Sequence, residues 1–203
     1  TTSMPKKVDH EQRRAMIASA AARCIAEQGL QGTTMRAIAQ SSGVSKGIVE
    51  HYFADKDAVI AAALEQMNAR YMRREQRLTT GRTGLDALRA RLNAVLPLNT
   101  ESREEWKIRL CFWSVAAIEP QHRREQQKRL ALTRKRYHGD LETALESGEI
   151  HAGADLARIA GDLTVFMAGA CCGALLDSRY YSARHLRELI ERTLHNLTRE
   201  DIA

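Results

Sequence analysis

The sequence predicts an all-α chain of about nine helices, a small N-terminal three-helix unit followed by a larger helical domain. Three observations lead there. Apolar residues recur three and four positions apart through most of the 203 residues, as they do on helices with one buried face. Only three prolines interrupt the pattern, and aromatic residues make up just 5% of the chain, so strand and breaker signals are sparse. Glycine, serine and threonine gather where the periodicity lapses, which marks turns. The expected domains are 1–56, a connecting helix over 57–78, and 79–203.

Thr1 to Val8 reads as an arm whose Lys6 and Lys7 either touch a polyanion or are incidental charge on a terminus. From Asp9 to about Gln28 a helix places Ile17, Ala21, Cys24 and Ile25 on one face, with Arg13, Arg14 and Arg23 mostly off it, and Gly29 ends it. Two short helices follow. Thr33 or Thr34 caps the first, whose Met35, Ile38 and Ala39 face inward; Ser41, Ser42 and Gly43 stop it. Val44 plugs the turn, Ser45 caps the second helix, Lys46 to Tyr52, and Phe53 returns to the core. The expected core closes Leu30 and Met35 over Ile17, Ile38, Val44, Ile48 and Phe53. Two short helices set by a tight turn are a helix-turn-helix, whose second helix enters the DNA major groove.

Asp55 should cap a helix reaching about Leu78, with Ile60, Leu64, Met67, Tyr71 and Leu78 as its stripe and a length of roughly 35 Å. Arg70, Arg73, Arg74 and Arg77 are expected on its solvated side. Thr79, Thr80, Gly81 and Gly84 then mark the boundary. Leu85, Leu88, Leu92, Val95 and Leu96 stripe the fifth helix, and Ser102 with Glu105 suggests a capping box for the sixth. That sixth helix is apolar nearly all round between Ile108 and Ile118, so burial is expected. The seventh, about Gln121 to Glu146, begins polar and basic, and a solvated face suits Arg123, Arg124, Lys128 and Arg129 better than a nucleic-acid patch does. The eighth, about Asp155 to Leu176, carries small residues on several faces. With Leu186, Leu189, Ile190, Leu194 and Leu197 of the ninth it offers a surface for a second copy of the chain.

The stretch AIAQSSGVSKGIVEHYFADKDAVI resembles the DNA-binding motif of the tetracycline-repressor (TetR) family, and GVSKGI followed by HYF and DK is most similar to its choline-sensing BetI-type subgroup. The likeness covers Ile17 to Ile60. One position departs from the commonest pattern, in which a tyrosine gripping the DNA backbone stands two residues after the Ile48 position; here it is Glu50. The resemblance implies a repressor whose second domain binds a small effector and dimerises, the effector being choline or a related quaternary ammonium.

Lys46, Gly47, Ile48, Glu50, His51 and Tyr52 are then the groove-side residues. Lys46 can donate to guanine, Glu50 can accept from cytosine N4, and Ile48 can meet a thymine methyl. Thr34, Ser45, Tyr52 and Lys56 are the expected phosphate contacts, and with Glu50 in the tyrosine's place His51 is expected to hold phosphate beside Tyr52 and Lys56. For the effector, Trp106, Phe112, Trp113, Phe166 and Met167 are candidate walls, with Glu119 or Asp162 as polar anchor; plain core packing is the alternative.

A net charge of +6 favours polyanionic partners, here double-stranded operator DNA. The longest apolar run, Leu163 to Leu176, is too short to span a bilayer and contains Thr164, so a cytoplasmic protein is expected. Four cysteines lack the spacing of a disulfide framework, and Glu119 with His122 makes no metal site, since Pro120 lies between them and no second copy occurs. No cofactor is expected. An enzyme finds no nucleophile elbow, phosphate loop or nucleotide fingerprint to support it. A non-specific architectural DNA protein is the stronger alternative, separable by salt dependence without sequence preference.

Overall fold

The computed structural model describes residues 6–198, with side chains from residue 9. Among the described residues are nine helices and no strand: α1 Lys6–Gly32, α2 Met35–Ser42, α3 Lys46–Tyr52, α4 Lys56–Thr79, α5 Gly84–Val95, α6 Thr100–Ile118, α7 Pro120–Glu146, α8 Leu156–Leu176 and α9 Ala183–Leu197. Lys6 and Lys7 of the expected arm have side chains outside the described residues, and their backbone already belongs to α1. The chain divides into two compact units. Residues to Arg70 together with Lys107–Phe112 form the first, and Tyr71–Trp106 with the residues from Trp113 onward form the second.

In the first unit, Ile17, Cys24 and Ile25 of α1 bury against Ile38, Val49, Phe53, Val59, Ile60, Met67 and Ile108. Gly29 (φ 69°) breaks α1 before a last turn, and Thr33 closes that turn by donating its hydroxyl to the Gly29 carbonyl at 2.7 Å. Thr34 is the residue that caps α2. Gly43 ends α2 in the left-handed region (φ 70°) and returns its N–H to Ala39 and Gln40 carbonyls, as C-terminal glycines do. Val49, fully buried, anchors α3 in place of the expected Ile48, which is only half-buried. The reason is register: Val49 precedes Phe53 by four residues, so the two share a face.

The second unit gathers Leu88, Leu92, Trp106, Tyr137, Leu141, Leu163, Met167, Cys171, Leu186, Ile190 and Leu194. Charged groups lie at its edge. Glu75, 1% exposed, pairs with Arg91 of α5 and with Arg136 of α7, whose Nε lies 3.0 Å away; Arg91 Nε also donates to Asp140 at 2.6 Å. Burial alone would lower the Arg91 pKa, yet Asp140 and Glu75 together hold it above its ordinary value. Arg74, expected in solvent, instead makes a two-pronged bond to Glu105 at 2.6 and 3.1 Å. That bond to Glu105 raises the Arg74 pKa against the cost of burial.

Other expectations shift with these pairings. The capping box of α6 is Asn99 with Ser102, not Ser102 with Glu105: the Asn99 side chain accepts from Ser102 N and Ser102 Oγ accepts from Asn99 N, while Glu105 binds Arg74. Leu78 is exposed, and so is Ile118 at the end of α6, 79% of whose surface is open. In α9 the residues Leu186, Ile190 and Leu194 are spent on the unit's own core. Open apolar surface also lies on α7, where Leu132 is 56% exposed, and on α8, where Val165 is 74% and Leu176 86% exposed. At 21 residues α8 is longer than the apolar run taken from the sequence, and by length and composition alone it could cross a membrane; only 28% of its apolar window is buried within one chain.

Candidate functional site

The reading head is built from backbone outward. Thr34 Oγ1 accepts from Ala37 N at 3.1 Å and Ser45 Oγ from Ile48 N at 3.3 Å, so each short helix starts on a hydroxyl cap. With Val49 and Phe53 held inside, α3 presents Lys46, Gly47, Glu50 and His51 outward, and Ile48 and Tyr52 half-buried at the margins. Lys46 Nζ meets Glu50 Oε1 at 2.8 Å, one helical turn along the same exposed face. A Cβ added at Gly47 would find only Ser45 Oγ, 3.9 Å away. Among the described residues nothing requires glycine there, whereas a ligand lying close to the backbone would.

Tyr52 forms a three-ring cluster with two imidazoles, His10 at 4.5 Å and His51 at 5.2 Å between ring centroids, the imidazoles themselves 6.4 Å apart. Lys56 is half-buried, and its Nζ donates to the Leu30 carbonyl at 2.6 Å. Its structural duty therefore comes first, although an ammonium keeps two further donors. Lys56→Ala is expected to lower stability by about 1 kcal/mol, from the lost hydrogen bond. It should also weaken binding to specific and random duplexes in parallel, with the salt slope falling by about one. Anisotropy titrations over a salt series measure this, and altered sequence preference would overturn the phosphate assignment.

The candidate effector residues divide between the two cores. Trp106 is buried, donates Nε1 to the Val95 carbonyl at 2.6 Å, and meets Trp113 edge-on at 5.7 Å. Phe166 and Met167 share that core. Phe112 does not, because it packs with Ile108 in the first unit. Glu119 is exposed and 3.4 Å from His122 Nε2, and Asp162 is exposed on α8, so neither carboxylate is a buried anchor. Among the described residues no three His, Cys, Asp or Glu side chains gather as a metal site requires.

Sequence reasoning missed Val49 and Glu75. For Val49 the available signal was its spacing from Phe53. For Glu75 it was a carboxylate four residues beyond Tyr71 and eight beyond Met67, on the buried stripe of α4.

Comparison with known proteins settles the family. Residues 84–199 match the model described as BetI-type transcriptional repressor, C-terminal, and residues 17–63 match that of bacterial regulatory proteins, tetR family. The chain belongs to the TetR family. Its second domain is of BetI type. An HTH-type transcriptional regulator BetI from Burkholderia mallei is 35% identical over 187 residues, covering 87% of this chain and 91% of that protein. Among solved structures, a transcriptional regulator from Rhodococcus sp. Rha1 aligns with a TM-score of 0.78 at 25% identity, covering 91% of this chain and 95% of its own. A regulator from Saccharomonospora viridis, solved in complex with choline, aligns with a TM-score of 0.84 at 21% identity, over 91% and 96% of the two chains. This TetR-family protein is a DNA-binding transcriptional regulator and not an enzyme. Regulators of the family bind operator DNA and small effectors and dimerise.

Proposed function

We propose that the chain is a homodimeric, cytoplasmic repressor that reads a palindromic operator with α3 and is released by a small cationic effector held in the second unit. The observation that carries the reading half is the outward face of α3. Its two exposed charges, a backbone open at Gly47, and hydroxyl-capped N-termini at Thr34 and Ser45 suit base edges and phosphates together. In this reading residues 1–56 read DNA, 57–78 connect, and 79–203 sense and dimerise. A two-fold dimer presents two such helices to successive groove turns.

The effector half rests on Trp113. Among the described residues its buried indole Nε1 has no hydrogen-bond partner, and a buried donor left unmade costs stability unless some ligand acceptor completes it. Trp113 meets Trp106 edge-on and shares its core with Phe166 and Met167, and such aromatic and polarisable groups suit a quaternary ammonium carrying a hydroxyl. The choline bound by the Saccharomonospora viridis regulator has that chemistry. Millimolar choline is expected to raise the melting temperature, since a ligand that binds only the folded state stabilises it by mass action. An unchanged melting temperature removes this effector class.

We assign dimerisation to α8, bordered by α9. Val165, Gly169, Cys172 and Leu176 fall on one stripe, and Gly169 lets a second helix approach closely. Burial pushes the Cys172 thiol pKa up, so it packs as a small apolar group and is a poor nucleophile.

A further inference from the structure

We propose that Arg14 and Arg23 of α1 are positioning residues for DNA reading: they clamp the ends of the two helix-turn-helix elements and are not phosphate contacts. Arg14 Nη1 donates to the carbonyl of Tyr52, the last residue of α3, at 2.8 Å, and its guanidinium lies 4.2 Å from the centroid of the Phe53 ring. Arg23 Nη2 donates to the carbonyl of Ser41, the penultimate residue of α2, at 3.0 Å.

The final carbonyls of a helix have no intrahelical donor, and a cation placed there also meets the negative end of the helix dipole. Each helix of the reading head thus ends on one arginine of α1. Lys56 repeats the arrangement at the Leu30 carbonyl, near the end of α1 itself. The consequence is geometric. Phe53 is 2% exposed and Val49 fully buried, so apolar packing fixes how deep α3 lies. Apolar contacts are non-directional, whereas a planar guanidinium stacked on Phe53 and bonded to Tyr52 fixes the rotation and tilt of the helix end. Lys46 and Glu50 reach base edges only if that orientation holds.

Both guanidiniums are otherwise exposed, which makes phosphate binding the natural competitor. The two roles differ in their dependence on salt. Wild type, R14M, R23M and R23K are titrated by fluorescence anisotropy, from low to moderate salt, with the duplex enriched from a random pool and with a scrambled duplex of the same length. The clamp predicts that R14M and R23M lose about tenfold in affinity for the enriched duplex, the worth of one charge-assisted hydrogen bond. Their binding to the scrambled duplex should stay within about twofold, and the slope of log K against log salt should be unchanged. R23K, whose ammonium can make the one bond to Ser41, should bind nearly as wild type does.

A slope reduced by about one per arginine, with parallel losses on both duplexes, would make them phosphate contacts. Unchanged affinities beside a lowered melting temperature would reduce them to stabilising residues. Either result overturns the clamp. If R14M does not fold, R14K keeps the charge without the planar stack and faces the same outcomes. The inference rests on α3 being the reading helix: a wild-type protein that enriches no duplex fails that reading and the clamp together, whereas parallel losses fail the clamp alone.

Discussion

Arg91→Met is expected to cost about 3–5 kcal/mol of folding stability, the usual penalty when one partner of a buried ion network is removed. The guanidinium bonds both Glu75 and Asp140, and all three side chains are at most 13% exposed. Without it two carboxylates remain in a low-dielectric setting with Arg136 as the neighbouring cation. For a chain of this size the melting temperature should fall by about 10 °C. Urea or thermal unfolding followed by circular dichroism measures the loss. The triple variant Glu75→Leu, Arg91→Met, Asp140→Leu separates cause from coincidence. Apolar groups of similar volume replace three members of the network, and Arg136, whose side chain is 24% exposed, turns its charge to solvent, so most of the stability should return. A triple variant as unstable as the single one would mean that the guanidinium stem, not the charge network, carries the effect.

Val165→Asp should leave the single chain folded and abolish its dimer. The side chain is 74% exposed in one chain, so the substitution disturbs little internally, but in a two-fold contact it places a carboxylate in the apolar seam from both sides at once. Light scattering should report a monomer. Operator affinity should then fall by on the order of 10³-fold, the lower end of the gap between specific and non-specific binding, because one reading head alone engages one half-site. A dimer that survives with wild-type operator affinity would move the interface off α8.

Most of the fold is written in local spacing. Caps at Thr34, Ser45, Asp55 and Asp155 and the stop at Gly43 depend on residues a few positions apart, so the sequence displays them directly. What it hides are choices made between distant segments. Arg74 reads as one of a row of solvated arginines until Glu105, thirty-one positions on, claims it. Glu75 reads as a surface charge until Arg91 and Arg136 surround it. The same limit governs the sites. The face of α3 follows from one helix, and only the choice between Ile48 and Val49 needed the partner Phe53. An effector surface is assembled from helices far apart in sequence, and apolar periodicity is the same for a wall as for a core. That is why Phe112 belongs with Ile108 and not with Trp113, and why Glu119 and Asp162 lie in solvent.

The most direct test of the account is selection of bound duplexes from a random pool by the purified protein, followed by sequencing. A dimeric, sequence-specific regulator predicts an enriched palindrome whose half-sites stand about one helical turn or more apart, retained at moderate salt. Binding that enriches no sequence and fades steeply with salt would contradict it, leaving only the attraction of a basic protein for DNA.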